Sequence, residues 1–295
     1  MSELVFENDV MKCLKDRGSV RAFEERDISD DLLNSVLDAG CRSATGGNLQ
    51  PYSIIKIRSK EKKQALMDTN CMQSIVQHAP VNLLFVVDWY RTKTWAEANH
   101  APYSVLDGYR HFWIGLQDTI IAAQSICTAA DAVGLGSVYL GTVESCFDEL
   151  KDMFDLPEGV FPVVILSLGY PKKKPEIAPK LMHDVIVHEE RYQRPSVEAI
   201  NKMMDKKYSD RANVPLSPKN LETLFEVTKN IDGEEAAQKA VDYAKELGFV
   251  HMAQRYFALH YSADWSRTGN GDFLNSLRRY GFTFVDGINH PDYKE

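Results

Sequence analysis

The sequence of 295 residues predicts an α+β fold in which helices cover both faces of a sheet. Apolar runs typical of buried strands, such as 81–88 and 160–170, occur among helical segments without the regular repetition of a parallel βαβ fold. Segment 111–133 has apolar residues on most of its faces, which is typical of a helix buried centrally or in an oligomer interface. Beyond residue 194 we find helical patterns but no buried-strand runs.

The first 170 residues divide into helices and strands by the spacing of their apolar residues. Ser29 is a candidate N-cap, the Ala79-Pro80 pair ends one helix, and Gly134 ends the longest one. The polar and aromatic segment 90–108 is expected to be irregular, either as a lid over a substrate or as an ordinary surface loop. The predicted elements are helices over 3–16, 29–39, 60–77, 111–133 and 145–154, and strands over 52–58, 81–88, 137–140 and 160–170.

The last hundred residues carry four helical patterns, so we predict an all-helical C-terminal extension. Ser217 followed by Pro218 is typical of an N-cap with proline in the first turn. The other predicted helices cover 233–247, 250–262 and 270–280. We therefore expect a sheet-containing domain over 1–192 and a helical extension over 193–295.

Composition excludes several classes of function. The chain has 34 Lys and Arg residues against 42 Asp and Glu, a formal net charge of −8, whereas nucleic-acid-binding proteins usually show a basic stripe. Neither a CxxC pair nor an HExxH motif is present, so no bound metal is expected. The N-terminus lacks the basic region of a signal peptide, and no apolar run is long enough to span a membrane. We expect a cytoplasmic protein with reduced thiols, in which Cys71 and Cys127 are structural rather than nucleophilic.

Four short motifs could carry chemistry, and each has a plainer interpretation. Segment 17–21 (RGSVR) offers two guanidiniums and a hydroxyl that suit a phosphate, or it is a solvated basic turn. The small residues of 44–52 let backbone approach a planar ligand, or form a connecting loop. In 134–142 the glycines follow a helix and precede a strand, the reverse of a dinucleotide fingerprint. Lys180 follows a strand exit, where a lone lysine is usually solvated surface.

In their order along the chain, these motifs resemble the FMN-dependent nitroreductase family over roughly residues 8–192. The shared features are RGSVRAF, the small-residue loop leading to NLQPYSI, the apolar helix ending in GLGSVYLG, and the strand exit LSLGYP followed by a basic residue. The resemblance implies a three-layer α/β/α sandwich whose two subunits interlock as a homodimer, with FMN at the interface. The helical extension has no counterpart in the minimal family, and its role is left open.

The resemblance implies roles at the phosphate end of the flavin. Arg17, Ser19 and the Gly18 backbone match ligands of the FMN phosphate and ribityl chain, and Lys180 matches a further phosphate cation. The planar guanidinium of arginine suits this role because it binds a phosphate through two parallel hydrogen bonds. Many relatives carry two basic residues near Lys180, whereas Ala178 stands at one of these positions here.

Other matches concern the flavin ring. Arg21 falls where the family places a cation near N1 and O2, and a cation there stabilises the negative charge of the reduced ring. Gln73 resembles the amide that binds the pyrimidine edge. A backbone N–H of Gly141 or Thr142 is expected to point at N5, which makes these two residues and Arg21 the candidate catalytic residues. The segment expected to lie against the isoalloxazine comprises Tyr139, Leu140 and Gly141.

Thr45, Gly46 and Asn48 resemble a segment that reaches the flavin from the partner subunit. Many relatives have Pro-Ser-Ser or similar where this chain has Ala44-Thr45-Gly46, so a hydroxyl contact at 46 is not expected.

The resemblance implies an NAD(P)H-dependent flavoprotein oxidoreductase with ping-pong kinetics. NADH or NADPH would pass hydride to flavin N5, and a nitroaromatic, a quinone or a similar flat electrophile would then accept it. Ene reduction or dehalogenation on the same fold is an alternative, as is a non-catalytic flavin-binding or regulatory protein. The physiological acceptor and the choice between NADH and NADPH are left open.

Overall fold

The computed structural model describes residues 8–209, 211 and 213–286. The strands are β1 Tyr52–Ile57, β2 Val81–Asp88, β3 Gly136–Leu140 and β4 Val160–Gly169. The helices of the N-terminal half are α1 Asp9–Asp16, α2 Asp30–Gly40, α3 Lys60–Asp68, α4 Ile75–His78, α5 Tyr90–Ala98, α6 Tyr109–Ala132 and α7 Phe147–Met153. Those that follow are α8 His183–Ile186, α9 Val197–Lys207, α10 Pro218–Asp232, α11 Glu234–Leu247, α12 Met252–Gln254, α13 Ala263–Thr268 and α14 Asn270–Arg279.

The sheet has the order β1-β2-β4-β3, and each neighbouring pair is antiparallel. Since antiparallel strands need no helical crossover, the part of the chain that the structure describes lacks the βαβ repetition of a parallel sheet. All eight residues of β2 are buried. Helices therefore cover the sheet on both sides, and the predicted α+β sandwich is confirmed.

Alternate side chains of β2 enter two different cores. Leu83 and Phe85 pack in a cluster with residues of α2 and α6, such as Ile126. Leu84 and Val86 belong to a second cluster, which includes residues of α3, α4 and α7. A strand presents successive side chains to opposite faces, so the two clusters are the two interfaces of a three-layer α/β/α sandwich.

Helix α6 is the longest of the described helices, at 24 residues. Its inner face, including Ala123 and Ile126, packs on the sheet with no exposure to solvent. Trp113, Ile120 and Ile121 on the same helix are exposed, at 48%, 42% and 44%. The predicted apolar character on several faces is confirmed, and the outward apolar residues remain available to a second molecule.

Two predicted segments differ from the structure. The helix expected over 60–77 is interrupted between α3 and α4, where the Thr69 hydroxyl donates to the carbonyl of Leu66 and Asn70 adopts a left-handed conformation with φ 58°. Segment 90–108, expected to be irregular, contains α5 and a short 3₁₀ turn. The Asp88 carboxylate accepts the backbone N–H of Arg91 at 3.1 Å, which satisfies a donor in the first turn of α5.

Other bounds agree more closely with the predictions. Helix α2 begins after Ser29, whose hydroxyl accepts the N–H of Leu32, and α10 follows Ser217 in the same manner. Helix α1 covers the described part of the predicted segment 3–16, whose residues 3–7 lie outside the described residues. Helices α9 and α13 were not predicted.

The described chain forms two compact units, one from residues up to 177 together with those from 273, and the other from 178–272. The second unit has its own core, which includes Leu224 of α10 and Val241 of α11. The first unit also includes Tyr280, which follows the second unit in the chain and whose buried hydroxyl donates to the carbonyl of Phe147. These units do not coincide with a division at residue 192, and the extent of the FMN-binding part stays a prediction. No helix in the described ranges is long and apolar enough to cross a membrane.

Candidate functional site

The RGSVR segment lies alongside β3. Ser19 forms a parallel bridge with Ser137, and the backbone N–H of Val20 donates to the carbonyl of Ser137 at 2.9 Å. Val20 is buried in the core, whereas Ser19 and Arg21 are exposed. The strand pairing therefore brings the first motif next to the strand that leads to Gly141.

The strand-exit motif joins the same region. Phe23 and Pro171 form an antiparallel bridge, and an ideal Cβ built on Gly18 would lie 2.8 Å from the carbonyl oxygen of Glu176 and from Cβ of Pro175. Only glycine allows this close approach. Lys180, in contrast, belongs to the second unit and is exposed there, and its assignment to the phosphate stays a prediction.

Arg17 is paired with a largely buried acid. Its Nε lies 3.3 Å from Oδ2 of Asp131, and its Nη2 is buried without a hydrogen-bond partner among the described residues. Burial opposes the charge of Arg17, but its neighbours Cys127 and Asp131 outweigh this and raise its pKa. The guanidinium thus remains charged and keeps one nitrogen that the described protein does not use.

At the end of β3 the surface opens. Leu140 is buried and Tyr139 is half-buried. The Tyr139 hydroxyl has no hydrogen-bond partner among the described residues, and burial raises its pKa. Gly141 is exposed, and an ideal Cβ there would meet no described atom within 4 Å. Gly141 and Thr142 begin a 3₁₀ turn over Gly141–Ser145, and the first N–H groups of such a turn have no partner inside it.

The segment that contains Gln73 contacts this turn. Gln73 is exposed just before α4, and the neighbouring Met72 is buried. The Thr142 hydroxyl donates to Sδ of Met72 at 3.7 Å. The assigned positions of segments 17–21, 73 and 139–142 therefore lie around one edge of the sheet.

The loop with Thr45, Gly46 and Asn48 is anchored on α6. The backbone N–H of Gly46 donates to both carboxylate oxygens of Asp118, at 3.2 and 3.0 Å. Gly47 and Asn48 have φ values of 59° and 56°, the left-handed conformation that glycine and asparagine adopt most readily. The motif thus forms a defined turn on the helix surface.

Asp118 was not predicted as a site residue. It is 4% exposed, and burial raises its pKa while the Gly46 hydrogen bond opposes the rise. The signal in the sequence is weak: Asp118 is one acid beside the apolar run that follows it in α6, and although a carboxylate is rarely buried without a partner, the sequence does not identify that partner. Within the described ranges, no group of three or more His, Cys, Asp or Glu residues could hold a metal.

Comparison with known proteins connects this geometry with a family. The model of the Nitroreductase family matches residues 14–170. An FMN reductase (NAD(P)H) of Bacillus subtilis is 30% identical over 186 residues, which cover 63% of this chain and 75% of that protein. The NADPH-flavin oxidoreductase of Vibrio harveyi is 29% identical over 231 residues, which cover 77% of this chain and 92% of that protein.

Solved structures agree with these relatives. A putative oxidoreductase from Bacteroides fragilis superposes with a TM-score of 0.76 at 30% identity, covering 92% of this chain and 99% of that one. The NADPH:FMN oxidoreductase from Vibrio harveyi complexed with NAD+ gives a TM-score of 0.63 at 27% identity, covering 82% of this chain and 98% of that one.

Proposed function

This chain belongs to the nitroreductase family, and on that premise we propose that it is an FMN-dependent oxidoreductase that transfers hydride from NAD(P)H to a second, electron-accepting substrate. The names of its relatives, FMN reductase and NADPH-flavin oxidoreductase, support the reaction class. The observation that carries the proposal for this chain is the pairing of Ser19 with Ser137, which aligns the RGSVR segment with the open end of β3.

The residues around β3 fit FMN. Its phosphate is anionic, and Ser19 and the unpaired Nη2 of Arg17 offer donors of the required kind. Gly141 leaves open space in front of the turn, as a flat ring requires. FMN, when bound, supplies the two-electron hydride chemistry.

The protein contributes charge and position. Arg21 provides an exposed positive charge, which stabilises negative charge that develops on a reduced ring. The backbone N–H of Gly141 or Thr142 would donate a hydrogen bond to N5, while the segment with Tyr139 and Leu140 would lie against the ring and Gln73 would bind its pyrimidine edge. No acidic or basic side chain is required if water supplies the proton for the acceptor.

The exposed Gly141 supports a reaction order in which the two substrates bind one after the other. A face without an overlying side chain lets the nicotinamide bind and leave before the acceptor binds at the same place, which is a ping-pong order. A flat electrophile such as a nitroaromatic or a quinone has the shape for this space. All five cysteines are free thiols, which favours a location in the cytoplasm.

We also propose that the protein is a homodimer with FMN at the interface. The exposed Trp113, Ile120 and Ile121 of α6 are apolar residues that a second copy would cover. The turn at Gly46 is fixed to that same helix, so that Thr45, Gly46 and Asn48 would reach the flavin of the partner.

Anaerobic reduction tests the function. Purified protein reconstituted with FMN should be yellow, lose its colour when NADH or NADPH is added, and regain it when a quinone or nitroaromatic is added. Protein that binds no FMN, or whose colour neither nicotinamide bleaches, would show that the proposed function is wrong.

A further inference from the structure

Two cysteines from distant parts of the chain lie side by side at the edge of the proposed flavin site. Cys71 lies in the turn between α3 and α4, and its Sγ is 3.1 Å from the carbonyl oxygen of Ser145. That carbonyl belongs to the peptide bond between Ser145 and Cys146. The thiol of Cys146 turns back over the same segment, with Sγ 3.7 Å from the carbonyl oxygen of Val143. The two side chains also interact with each other through a hydrogen bond, so the thiol groups are neighbours although 75 positions separate them in the chain.

The surroundings make these two thiols unequal. Cys71 is partly exposed, whereas Cys146 is 1% exposed. Burial raises the pKa of Cys146 to about 12, and the charge and hydrogen bonding of Cys71 add to this rise. An accessible thiol next to a buried one is typical of a pair in which the first is oxidised and the second resolves the product.

The pair also connects two segments that we assign to the flavin. Gln73 follows Cys71 by two residues, and Thr142 precedes Cys146 by four. These segments are in contact, because the Thr142 hydroxyl donates to Sδ of Met72. A covalent bond between the cysteines would therefore act directly on residues proposed to contact the ring.

We propose that Cys71 and Cys146 form a reversible disulfide when the protein meets a peroxide, and that this disulfide weakens flavin binding. The effect on flavin rests on the function proposed above, whereas formation of the disulfide does not. A reduced flavin that reacts with dioxygen produces hydrogen peroxide, so the proposed activity supplies the oxidant.

The reaction has two balanced steps. The Cys71 thiolate attacks one peroxide oxygen, so that an S–O bond forms, the O–O bond breaks, and the second oxygen leaves as water after taking up a proton. Cys146 then loses its proton and attacks the sulfur of the resulting sulfenic acid, so that an S–S bond forms and a second water leaves. The two thiols lose two electrons, and one hydrogen peroxide is reduced to two waters.

The disulfide requires the two sulfurs to come closer together. Both cysteines are free in the structure, and a disulfide brings its two sulfurs to about 2.05 Å. The 3₁₀ turn over Gly141–Ser145 belongs to the packed edge of the sheet, since Val143 is fully buried. The more exposed turn with Cys71 therefore moves toward Cys146 and takes Gln73 with it.

Peptide mapping tests the disulfide in the full-length protein. The protein is treated with a small molar excess of hydrogen peroxide, its remaining thiols are blocked with N-ethylmaleimide, and it is digested without reductant for mass spectrometry. We expect a linked pair of peptides containing Cys71 and Cys146, which separates after dithiothreitol. Recovery of Cys146 as the alkylated thiol while Cys71 carries a higher oxide, or is linked to another cysteine, would overturn the proposal.

Cysteine variants test whether Cys71 and Cys146 are the two partners of the disulfide. Cys146→Ala removes the resolving thiol, so we expect no linked peptides and irreversible oxidation of Cys71. Cys41→Ser alters another partly exposed cysteine and should form the linked pair as the unmodified protein does. A Cys71 peptide linked to another cysteine in equal yield in Cys146→Ala protein would contradict the pairing.

Flavin titration separates this inference from the proposed function. We expect peroxide treatment to weaken FMN binding several-fold in the unmodified protein, with recovery after dithiothreitol, and to leave Cys71→Ser unaffected. A disulfide that forms without changing FMN affinity would overturn the regulatory part of the inference. Absence of FMN binding in reduced protein would instead show that the proposed function is wrong.

Discussion

The buried carboxylate of Asp118 accepts the backbone N–H of Gly46 through both of its oxygens. This interaction fixes a glycine-rich turn to the longest described helix, across 72 positions of sequence. A hydrogen bond to a charged acceptor is stronger than one between neutral groups, and removing a buried partner leaves the other group unsatisfied. Asp118 is thus a positioning residue for the turn that we propose to reach the partner's flavin.

Replacing Asp118 should affect both stability and flavin binding. Asp118→Ala leaves the Gly46 N–H without its acceptor, and we expect a loss of about 1–3 kcal/mol in the free energy of unfolding. Asp118→Asn keeps an acceptor and should lose less. Urea unfolding and FMN titration measure the two effects, with Asp38→Ala on the exposed side of α2 as a control. Equal stability of the Asp118→Ala and Asp38→Ala proteins would contradict the anchoring role.

The raised pKa of Asp118 gives stability a defined pH dependence. Because burial raises this pKa in the folded state above its ordinary value of 3.8, the folded protein holds the proton more tightly than the unfolded protein. The stability from this group is therefore greatest below that ordinary value and decreases as pH rises through the folded-state pKa. Asp118→Asn should lack this decrease. Parallel curves of unfolding free energy against pH for the two proteins would be the contrary result.

Two glycines at the site should respond differently to alanine. Gly18→Ala places a Cβ 2.8 Å from the backbone oxygen of Glu176, so we expect a loss of about 1–3 kcal/mol in stability. Gly141→Ala meets no described atom and should change stability by less than about 0.5 kcal/mol while lowering FMN affinity. Thermal unfolding without FMN and titration with FMN distinguish these effects. Unchanged FMN affinity in Gly141→Ala would contradict the placement of the ring.

The two arginines of the first motif should separate folding from cofactor binding. Arg17→Ala leaves the largely buried Asp131 without its ion-pair partner, and we expect a loss of about 1–3 kcal/mol in stability together with weaker FMN binding. Arg21 is exposed, so Arg21→Ala should retain stability and slow reduction by NAD(P)H. Urea unfolding and stopped-flow absorbance measure the two quantities. Normal reduction rates in Arg21→Ala would remove it from the catalytic residues.

The outer face of α6 should control assembly. Replacing Ile120 and Ile121 together by glutamate puts charge on the face that a second copy would cover, so we expect monomers that retain helical structure but bind FMN weakly. Sedimentation analysis gives the mass, and Tyr243→Glu, at an exposed aromatic of the second unit, is the matched control. A dimer that survives the double substitution would place the interface elsewhere.

Much of the fold follows from local patterns. The strand runs were predicted within one or two residues because their apolar side chains are continuous, and α2 and α10 because serine caps mark their starts. Helix α5 was missed because its polar sequence has no apolar stripe, and its start depends on Asp88. The packing of Tyr280 in the first unit depends on contacts that no local pattern records.

The candidate site likewise contains some residues that the sequence indicates and others whose roles appear only in the folded chain. Arg17, Ser19 and Gly141 belong to short motifs with recognisable chemistry, so the sequence could indicate them. The roles of Asp118 and Asp131 depend on long-range contacts with Gly46 and Arg17, and single residues on a helix carry no sign of such partners. The pairing of Cys71 with Cys146 likewise appears only when the chain is folded.

A crystal structure of the protein with FMN tests the central claim most directly. We expect the phosphate next to Arg17 and Ser19, Arg21 near N1 and O2, and a backbone N–H of Gly141 or Thr142 within hydrogen-bond distance of N5. FMN bound away from β3, or with its ring turned so that N5 faces neither Gly141 nor Thr142, would contradict the account.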